Sequence, residues 1–338
     1  MPTRGVLLAN LGSPAACDTA SVRAYLDEFL MDPFVMDVAW PLRRLIVSAF
    51  ILPTRPKRSA AAYASIWRDE EPGSPLVYHG QMLAHALAAR ISMPVALGMR
   101  YGAPSFETAL TRLAEVDEVL LIPLFPHHAD STRTTSIHRV RALVGDRAMR
   151  VLPPFYAEDG YIDALVATSR ATVEQAEHVL FSYHGLPERH LTKADPTGNH
   201  CLASQACCEK DSAAHATCYR HQCFVTTRRL VDALGIESHS TSFQSRLGRL
   251  PWLQPYTNEV LVELARSGVR HLAVICPAFT ADNLETLEEI GIAGRRIFLD
   301  AGGERLDLTP CLNACETWVD TLANWCEQPP DEAPFDRA

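Results

Sequence analysis

The sequence has no long apolar run and no excess of positive charge. No stretch reaches the roughly 18 uncharged apolar residues that a membrane-spanning helix needs, so we expect no span. Lys and Arg number 31 against 40 Asp and Glu, which gives a net charge of −9. Because non-specific nucleic-acid binding depends on cations that neutralise phosphates, we expect no nucleic-acid partner.

The N-terminus also lacks the features of a signal peptide. Its apolar piece is short and is followed at once by Gly12 and Pro14. A signal peptide has a longer apolar region and a small-residue cleavage site. We therefore expect a cytoplasmic protein. Disulfides are disfavoured in the cytoplasm, so the ten cysteines indicate metal binding or redox chemistry.

What the chain does have is enough apolar sequence for sizeable cores, 47 % of its 338 residues, and a length that suggests about two domains. Short, nearly continuous apolar runs alternate with amphipathic stretches such as Phe106–Leu113 and Asn258–Ala265. This alternation predicts right-handed βαβ units in an α/β fold, with parallel strands covered on both faces. The predicted strands are Val6–Asn10, Val95–Arg100, Val119–Leu124, His178–Tyr183 and His271–Cys276.

An internal repeat indicates that this layout occurs twice. Residues 5–14, GVLLANLGSP, resemble residues 178–187, HVLFSYHGLP, and their glycines and last prolines align. Residues 118–126, EVLLIPLFP, resemble residues 271–279, HLAVICPAF, and each follows a helical pattern. We therefore predict two similar Rossmann-like domains.

The predicted domains span residues 1–157 and 158–328, and residues 329–338 are predicted to form a disordered tail. In sheets of this kind, ligands bind beyond the carboxyl ends of the strands. Leu11 and His184 occupy equivalent positions at the ends of the repeated strands. We expect the binding site in the cleft between the domains.

His184 directly follows the apolar run VLFSY, at a turn favoured by Gly185 and Pro187. An imidazole that faces a cleft at a strand end can act as a base or a metal ligand near neutral pH. A loop histidine with satisfied hydrogen bonds is the alternative, and the spacing alone does not decide between them.

An acidic segment, FTADNLETLEEIG, follows the last of the predicted strands. Asp282, Glu285 and Glu289 fall on one face of a helix, where like charges cost a few tenths of a kcal/mol per pair. Proton transfer or cation capture would explain this cost. The alternative, which the spacing alone favours, is a capping box with Asp282 as N-cap and Glu285 at the third helical position, ended by Gly291.

Eight strings stand in one order along the chain: NLGSP, YASIW…GSPL, MRYG, FPHHA, SYHGLPERH, SFQSRLG…WLQPYT, CPAF.AD.LETLEEI and GG…L…PCLN. Together they resemble the ferrochelatases, which insert ferrous iron into a porphyrin to form haem. The resemblance covers nearly the whole chain and implies a chelatase-like fold. It implies protoporphyrin IX or coproporphyrin III as substrate, with Fe²⁺. A chelatase for another tetrapyrrole or metal and a non-catalytic haem or iron sensor are the alternatives.

Carried over by position, His184 corresponds to the porphyrin-facing catalytic histidine of the family and Glu285 to its acidic partner. Both are also expected to bind the substrate iron transiently. Asp282 and Glu289 would continue an acidic path for protons or metal. Asn283 stands where many members have a histidine, so a proton relay through that position is absent or moved. The residues implied to bind porphyrin are Leu11, Tyr63, Ser74, Arg100 and Tyr101. Ordinary packing or surface ion pairing is the alternative for Tyr63, Ser74 and Arg100.

Half of the ten cysteines lie in a polar insertion at about residues 197–223: Cys201, Cys207, Cys208, Cys218 and Cys223. Clustered thiols in a cytosolic protein need a ligand to order them, and both zinc and Fe–S clusters accept four thiolates. Some ferrochelatases carry a [2Fe–2S] cluster, so the resemblance implies one here, held by four of the five. Zinc or no metal are the alternatives. Cys223 is the weakest candidate, because cluster-free relatives also have cysteine there.

Residues 41–53, PLRRLIVSAFILP, have an apolar core of about nine residues, too short to span a bilayer. In the family this region, about 38–63, is a mobile lip over the macrocycle. The basic residues at 54–58 suit propionates or anionic lipid headgroups. The resemblance therefore implies peripheral contact with the inner membrane face, with a buried helix as the alternative. Monomer and homodimer both remain open.

Overall fold

The computed structural model describes residues 3–248, 250–331 and 333. They form two compact units. The first contains residues 3–125, 130–154 and 319 onward, and the second contains residues 126–129 and 155–318. Residues 126–129, 155–157 and 319–328 thus fall in other units than the domains predicted for them from the sequence. Of the predicted tail, residues 332 and 334–338 lie outside the described residues.

The first unit is built on a parallel sheet with the strand order β2-β1-β3-β4. Its strands are β1 (Arg4–Ser13), β2 (Val95–Gly102), β3 (Glu118–Pro123) and β4 (Ala148–Val151). Its helices are α1 (Thr19–Leu30), α2 (Trp40–Ile46), α3 (Arg55–Ala64), α4 (Pro75–Ala88), α5 (Phe106–Arg112) and α6 (Thr135–Leu143). Two π-helical turns, Val47–Ile51 and Asp130–Thr134, extend α2 and precede α6.

The second unit has a parallel sheet of the order β6-β5-β7-β8. Its strands are β5 (His178–His184), β6 (His239–Gln244), β7 (His271–Ile275) and β8 (Arg305–Leu308). Its helices are α7 (Asp159–Val173), α8 (Glu188–Lys193), α9 (Tyr219–Leu234), α10 (Thr257–Arg266), α11 (Leu284–Leu287) and α12 (Arg295–Asp300). Helix α13 (Glu316–Glu327) follows them in the chain.

The two sheets have the same topology, which confirms the α/β fold and the internal repeat. The strands that align in sequence, β1 with β5 and β3 with β7, occupy the same places in their sheets. Both sheets are buried beneath helices: Leu7 and Ala9 of β1 pack with Phe106 of α5, and Val274 of β7 packs with Leu261 of α10. None of the helices in the described part of the chain has the length and apolar character of a membrane span.

A glycine lies near the end of β1 and another directly follows β5, and at both positions the neighbouring backbone comes very close. A Cβ on Gly12 would lie 1.8 Å from the carbonyl oxygen of Tyr101, and Gly12 also has a φ of +114°. A Cβ on Gly185 would lie 2.9 Å from the carbonyl oxygen of Gln244. These contacts fix the positions of the residues just before them, Leu11 and His184.

Candidate active site

His184 is the last residue of β5, and its side chain is partly exposed. Its Nδ1 lies 2.6 Å from the carbonyl oxygen of Gly185. Since a carbonyl can only accept, we assign the proton to Nδ1, which leaves the lone pair of the neutral ring on Nε2. The rings of Trp252 and Phe279 lie 6.4 Å and 6.3 Å from the imidazole, centroid to centroid. The imidazole therefore lies beside two aromatic rings, and its basic nitrogen is the one that does not bond to Gly185.

Gln244 connects the strand of His184 to the acidic segment. It is the register partner of His184 in the β5–β6 pair. Its side-chain nitrogen donates to the main-chain oxygen of Glu285 at 2.7 Å and to the carboxylate of Glu289 at 3.3 Å. Gln244 Oε1 accepts from Ser182 at 2.7 Å, which fixes the orientation of the amide. One buried side chain thus ties the histidine strand to both glutamates.

The carboxylate of Glu289 is held by a loop just beyond β6. Ser245 donates to it twice, from its backbone N–H at 2.7 Å and from its hydroxyl at 2.5 Å. Ser245 has a φ of +67°, a conformation that is uncommon for a residue with a side chain. With the bond from Gln244, three donors orient this carboxylate.

Asp282 is buried and its carboxylate is fixed by two donors. Asn313 donates its side-chain N–H at 2.7 Å, and the backbone N–H of Cys311 donates at 3.1 Å. The backbone N–H of Asp282 donates in turn to Asn313 at 2.9 Å. The carboxylate is therefore held by a neighbouring loop and does not cap the helix that follows.

A capping box is present, but it begins one residue later than the sequence predicts, at Asn283 instead of Asp282. Asn283 is the N-cap of α11: its side chain accepts from the backbone of Thr286 at 3.1 Å, and the Thr286 hydroxyl accepts from the Asn283 backbone at 3.0 Å. The prediction that Gly291 ends the helix is also wrong, because Gly291 lies inside a π-helical turn, Glu289–Gly294, that leads into α12. Such turns are frequent at functional sites. Glu289 begins this one.

In the first unit, Arg100 and Tyr101 belong to a buried polar cluster around Asp32. Arg100 forms an ion pair with Asp32 and donates from Nε to Thr135 at 2.8 Å. The hydroxyls of Tyr101 and Thr135 donate to the same carboxylate oxygen at 2.9 Å and 2.6 Å. Burial, and next the charge of Asp32, raises the pKa of Tyr101 far above its usual range. Tyr101 is only 1 % exposed, so the group that reaches the edge of this cluster is Arg100.

The remaining porphyrin residues have visible structural roles. Leu11 lies partly buried near the end of β1. Tyr63 is buried, with its ring 6.1 Å from that of Trp67 in an edge-to-face contact. Ser74 is the buried N-cap of α4, and its hydroxyl accepts from the backbone of Val77 at 3.5 Å. Packing and capping are thus seen for Tyr63 and Ser74, and their contact with a porphyrin stays a prediction.

Four cysteines of the insertion lie together. Cys207 and Cys208 are buried in one 3₁₀ turn with their sulfurs 4.0 Å apart. The thiol of Cys208 bonds to Cys218 and, with help from the backbone of His221 and the thiol of Cys201, lowers the pKa of Cys218 to about 6 against the effect of burial. Burial, and next Cys218, raises the pKa of Cys201. A Cys218 side chain with a lowered pKa and two thiol neighbours is suited to bind a cationic metal as a thiolate.

The fifth cysteine, Cys223, has different surroundings. It is fully buried one turn further along α9, and its thiol bonds to Tyr219. Burial raises its pKa well above the usual range. Among the described residues, no group of three or more His, Cys, Asp or Glu side chains is arranged to hold a single metal ion.

Three histidines surround the outer side of the Cys207–Cys208 turn. The Nε2 atoms of His200 and His215 lie 2.7 Å and 3.2 Å from the carbonyl oxygen of Cys207. Nδ1 of His221 lies 2.8 Å from the carbonyl oxygen of Cys208. The rings of His215 and His221 stack at 3.6 Å. Because carbonyls only accept, all three rings donate to this turn.

Sequence reasoning missed Gln244, Ser245, Asp32 and Asn313, and also the histidines of the insertion. The string SFQS carries Gln244 and Ser245, but nothing in it indicates a bond to Glu289. The available signal was topological: residues that end a strand beside β5 lie at the edge where ligands bind.

The sequence profile of the family described as Ferrochelatase matches residues 3–329. The ferrochelatase of Ectopseudomonas mendocina (strain ymp) is 52 % identical to this chain, over 98 % of the chain and 99 % of that protein. Ferrochelatase of Pseudomonas fluorescens (strain Pf0-1) is 51 % identical with the same coverage.

Two solved structures share the fold at low identity. A multi-domain protein of Deinococcus radiodurans with structural similarity to chelatases has a TM-score of 0.53 at 13 % identity, over 98 % of this chain and 56 % of its own. The sirohydrochlorin chelatase of Bacillus subtilis subspecies spizizenii, in complex with cobalt, has a TM-score of 0.51 at 10 % identity, over 95 % and 93 %.

Proposed function

The chain belongs to the ferrochelatase family and inserts iron into a porphyrin to form haem, and we propose that His184 is the base of this reaction. The observation that supports this role is the bond from Nδ1 to the Gly185 carbonyl, which leaves the lone pair on Nε2. A neutral imidazole of this tautomer can take a proton or bind a metal through Nε2.

The reaction requires two protons to leave the inner porphyrin nitrogens before a divalent ion can sit in the ring. A planar ring hides those nitrogens, so an enzyme gains by binding a bent ring, which resembles the transition state. A base that titrates near neutrality suits the removal of these protons. In our proposal Nε2 of His184 accepts the two protons one at a time. While it is charged, the imidazole keeps its Nδ1–H bond to the carbonyl of Gly185.

We assign the onward path to the acidic segment. Glu285 is the partner of His184, and Glu289 and Asp282 lead away from it. The support is that Gln244 fixes both the backbone of Glu285 and the carboxylate of Glu289 beside the strand of His184. Imidazole and carboxylate are also suitable ligands for Fe²⁺ while it loses water, so His184 and Glu285 would hold the substrate iron briefly.

The test is His184→Ala with porphyrin binding followed separately. We expect no haem formation in the absorbance assay with Fe²⁺ and protoporphyrin or coproporphyrin, while porphyrin fluorescence still reports binding. Near-normal turnover would overturn the assignment. Binding without turnover by the unaltered protein would favour the sensor alternative, and turnover only with another metal would favour the other chelatase.

For the porphyrin side we assign Arg100 to the rim of the macrocycle, with Tyr101 holding Arg100 in place. The guanidinium is oriented by Asp32 and Thr135 and stacks on the Tyr101 ring, 4.5 Å from its centroid. Leu11, Tyr63 and Ser74 would complete the binding surface. Which porphyrin carboxylates are recognised is decided by comparing protoporphyrin and coproporphyrin in the same assay.

We assign a [2Fe–2S] cluster to Cys201, Cys207, Cys208 and Cys218. Burial, the short sulfur–sulfur distance and the shared thiol bonds fit a thiolate-bound group. Zinc and Fe–S clusters both accept four thiolates, so the metal content of the purified protein decides between them. When bound, the cluster would cross-link the insertion, since iron insertion itself moves no electrons.

The three histidines support the use of both adjacent cysteines. Neighbouring side chains in an extended chain point to opposite sides, and a tight turn is needed to bring them together. The bonds from His200, His215 and His221 hold the two carbonyls of this turn, in which the sulfurs of Cys207 and Cys208 lie 4.0 Å apart. Protein purified without oxygen should be coloured and contain two irons beyond substrate. Zinc in place of iron, or colourless metal-free protein, would overturn the cluster.

We also propose that α2 and the π-helical turn after it, residues 40–51, rest on an anionic membrane surface. Trp40, Leu42, Leu45 and Phe50 are each 50–69 % exposed, and Lys57 and Arg58 are exposed on the helix that follows. Apolar side chains with nearby cations suit the headgroup region. Flotation with vesicles that contain phosphatidylserine should carry the protein, and the double variant Trp40→Ser, Phe50→Ser should stay behind. Equal behaviour of both proteins would overturn this proposal.

A further inference from the structure

The last part of the cysteine insertion contains a residue that contacts His184. Tyr219 is the first residue of α9 and comes directly after Cys218, the N-cap. Its side chain is buried, and its hydroxyl donates to the main-chain oxygen of His184 at 2.9 Å. The position of this hydroxyl is therefore set by the first turn of α9, and the insertion ends at that turn.

This bond acts on the backbone that orients the imidazole. His184 has its main-chain oxygen bound to Tyr219, while its ring is bound to the next carbonyl, that of Gly185. The backbone N–H of Gly185 donates to the main-chain oxygen of Gln244 at 2.8 Å. The peptide groups on both sides of the turn are thus fixed, and the bond from Tyr219 comes from outside the sheet.

A second contact between α9 and β5 provides a comparison. The hydroxyls of Tyr183 and Thr227 lie 2.9 Å apart, two turns further along the helix. That contact keeps α9 against β5 whatever the insertion does. The Tyr219 bond, by contrast, depends on where the chain leaves Cys218.

We propose that Tyr219 is a positioning residue that couples the order of the cysteine insertion to the orientation of His184. An insertion with its thiols bound holds the start of α9, and α9 then holds the carbonyl of the catalytic histidine. A disordered insertion releases the first turn and lets the imidazole swing away from its tether. This inference rests on the proposed roles of His184 and of the four cysteines.

The first experiment removes only the hydroxyl. Tyr219→Phe should lower kcat by roughly three- to tenfold, the value of one neutral hydrogen bond, with KM for porphyrin within twofold. In ¹⁵N NMR, the His184 ring should change from one tautomer with Nδ1–H to a mixture. The control Tyr183→Phe loses the contact with Thr227 and should keep both the rate and the ring spectrum. An unchanged rate and spectrum in Tyr219→Phe, or equal changes in both variants, would overturn the proposal.

The second experiment tests the coupling with a double-mutant cycle. Cys208→Ser should remove the cluster absorbance and lower kcat, and the same change should have little further effect in Tyr219→Phe. Two effects that multiply independently would contradict coupling through Tyr219. The two proposals on which this one rests are tested separately. An active His184→Ala variant would overturn the assignment of His184 as the base, and an iron-free unaltered protein would overturn the assignment of the cluster. Tyr219→Phe alone still decides the positioning role.

Discussion

The two units carry the same strand order but different chemistry at the same strand ends. The first has Leu11 near the end of β1 and places Arg100 and Tyr101 on the adjoining strand. The second ends β5 with His184 and places Gln244 on the adjoining strand. One end presents an apolar side chain and a fixed cation, and the other presents an imidazole and carboxylates. In our proposal the repeated scaffold divides the work: the first copy binds porphyrin and the second moves protons.

The largest expected effect on kcat comes from placing a leucine at position 184, so that β1 and β5 carry the same residue at their equivalent positions. His184→Leu makes the second end like the first and should lower kcat at least about 100-fold, the smaller end of what a general base contributes. Porphyrin affinity, followed by fluorescence, should change little. The exchange variant His184→Leu, Leu11→His should stay inactive, because Gln244 holds Glu285 and Glu289 beside the strand of His184. Recovery in the exchange variant would show that the two ends are chemically interchangeable.

The glycines after these residues should differ in the stability that they contribute. Gly12→Ala combines a φ of +114° with a Cβ 1.8 Å from a carbonyl, and we expect a loss of roughly 3–4 kcal/mol. Gly185→Ala meets its carbonyl at 2.9 Å and should cost roughly 1–2 kcal/mol. Gly145→Ala has a φ of +67° and no neighbour within 4 Å, so it measures strain alone. Hydrogen exchange of each sheet gives the three values, and an equal loss at Gly12 and Gly145 would contradict the clash.

Removal of the proposed cluster should affect only the second unit. A cross-link that closes a loop of roughly 15 residues contributes about 3 kcal/mol by restricting the unfolded chain, and Cys201 to Cys218 spans a loop of that size. After anaerobic chelation, residues 197–221 and the start of α9 should lose protection from hydrogen exchange. The β2-β1-β3-β4 sheet should remain protected to the same degree. Equal loss in both sheets, or no loss at all, would argue against a cluster here.

The smallest effects should separate the two ends by kinetic parameter. Ser245→Ala removes one of two Ser245 donors to Glu289 and should lower kcat about threefold, with KM unchanged. Arg100→Lys loses the planar fork that reaches Asp32 and Thr135, so KM for porphyrin should rise about fivefold with kcat unchanged. Steady-state rates against porphyrin concentration measure both. The reverse pattern would exchange the roles of the two ends.

Strands that are mostly buried could be predicted from the sequence, including β2 at the edge of its sheet, but short and partly exposed edge strands could not. The five predicted strands are buried and nearly continuous in apolar residues, and all five are present. The three missed strands, β4, β6 and β8, lie at sheet edges and are short and partly exposed. Because β6 reads HSTSFQ, its pattern resembles a loop, and Gln244 at its end therefore had no predicted position.

The position of a candidate residue was predictable where one strand carries it, as with His184 at the end of β5, and not where distant segments meet. Asp32 lies 68 residues before Arg100, so no local pattern joins them. The shifted cap has the same cause. Asp and Asn are equally good N-cap residues. Asn283 caps the helix because the carboxylate of Asp282 is bound by the backbone of Cys311 and the side chain of Asn313.

The carbonyl oxygen of Gly185 has a consequence for the order of events in the proposed reaction. A porphyrin gives up two protons, whereas an imidazole anchored through Nδ1 has room for only one. The imidazole must therefore pass on the first proton before it accepts the second, so it is protonated twice for each haem that forms. The rate at which the neighbouring carboxylates take the proton from the imidazole then sets an upper limit on turnover.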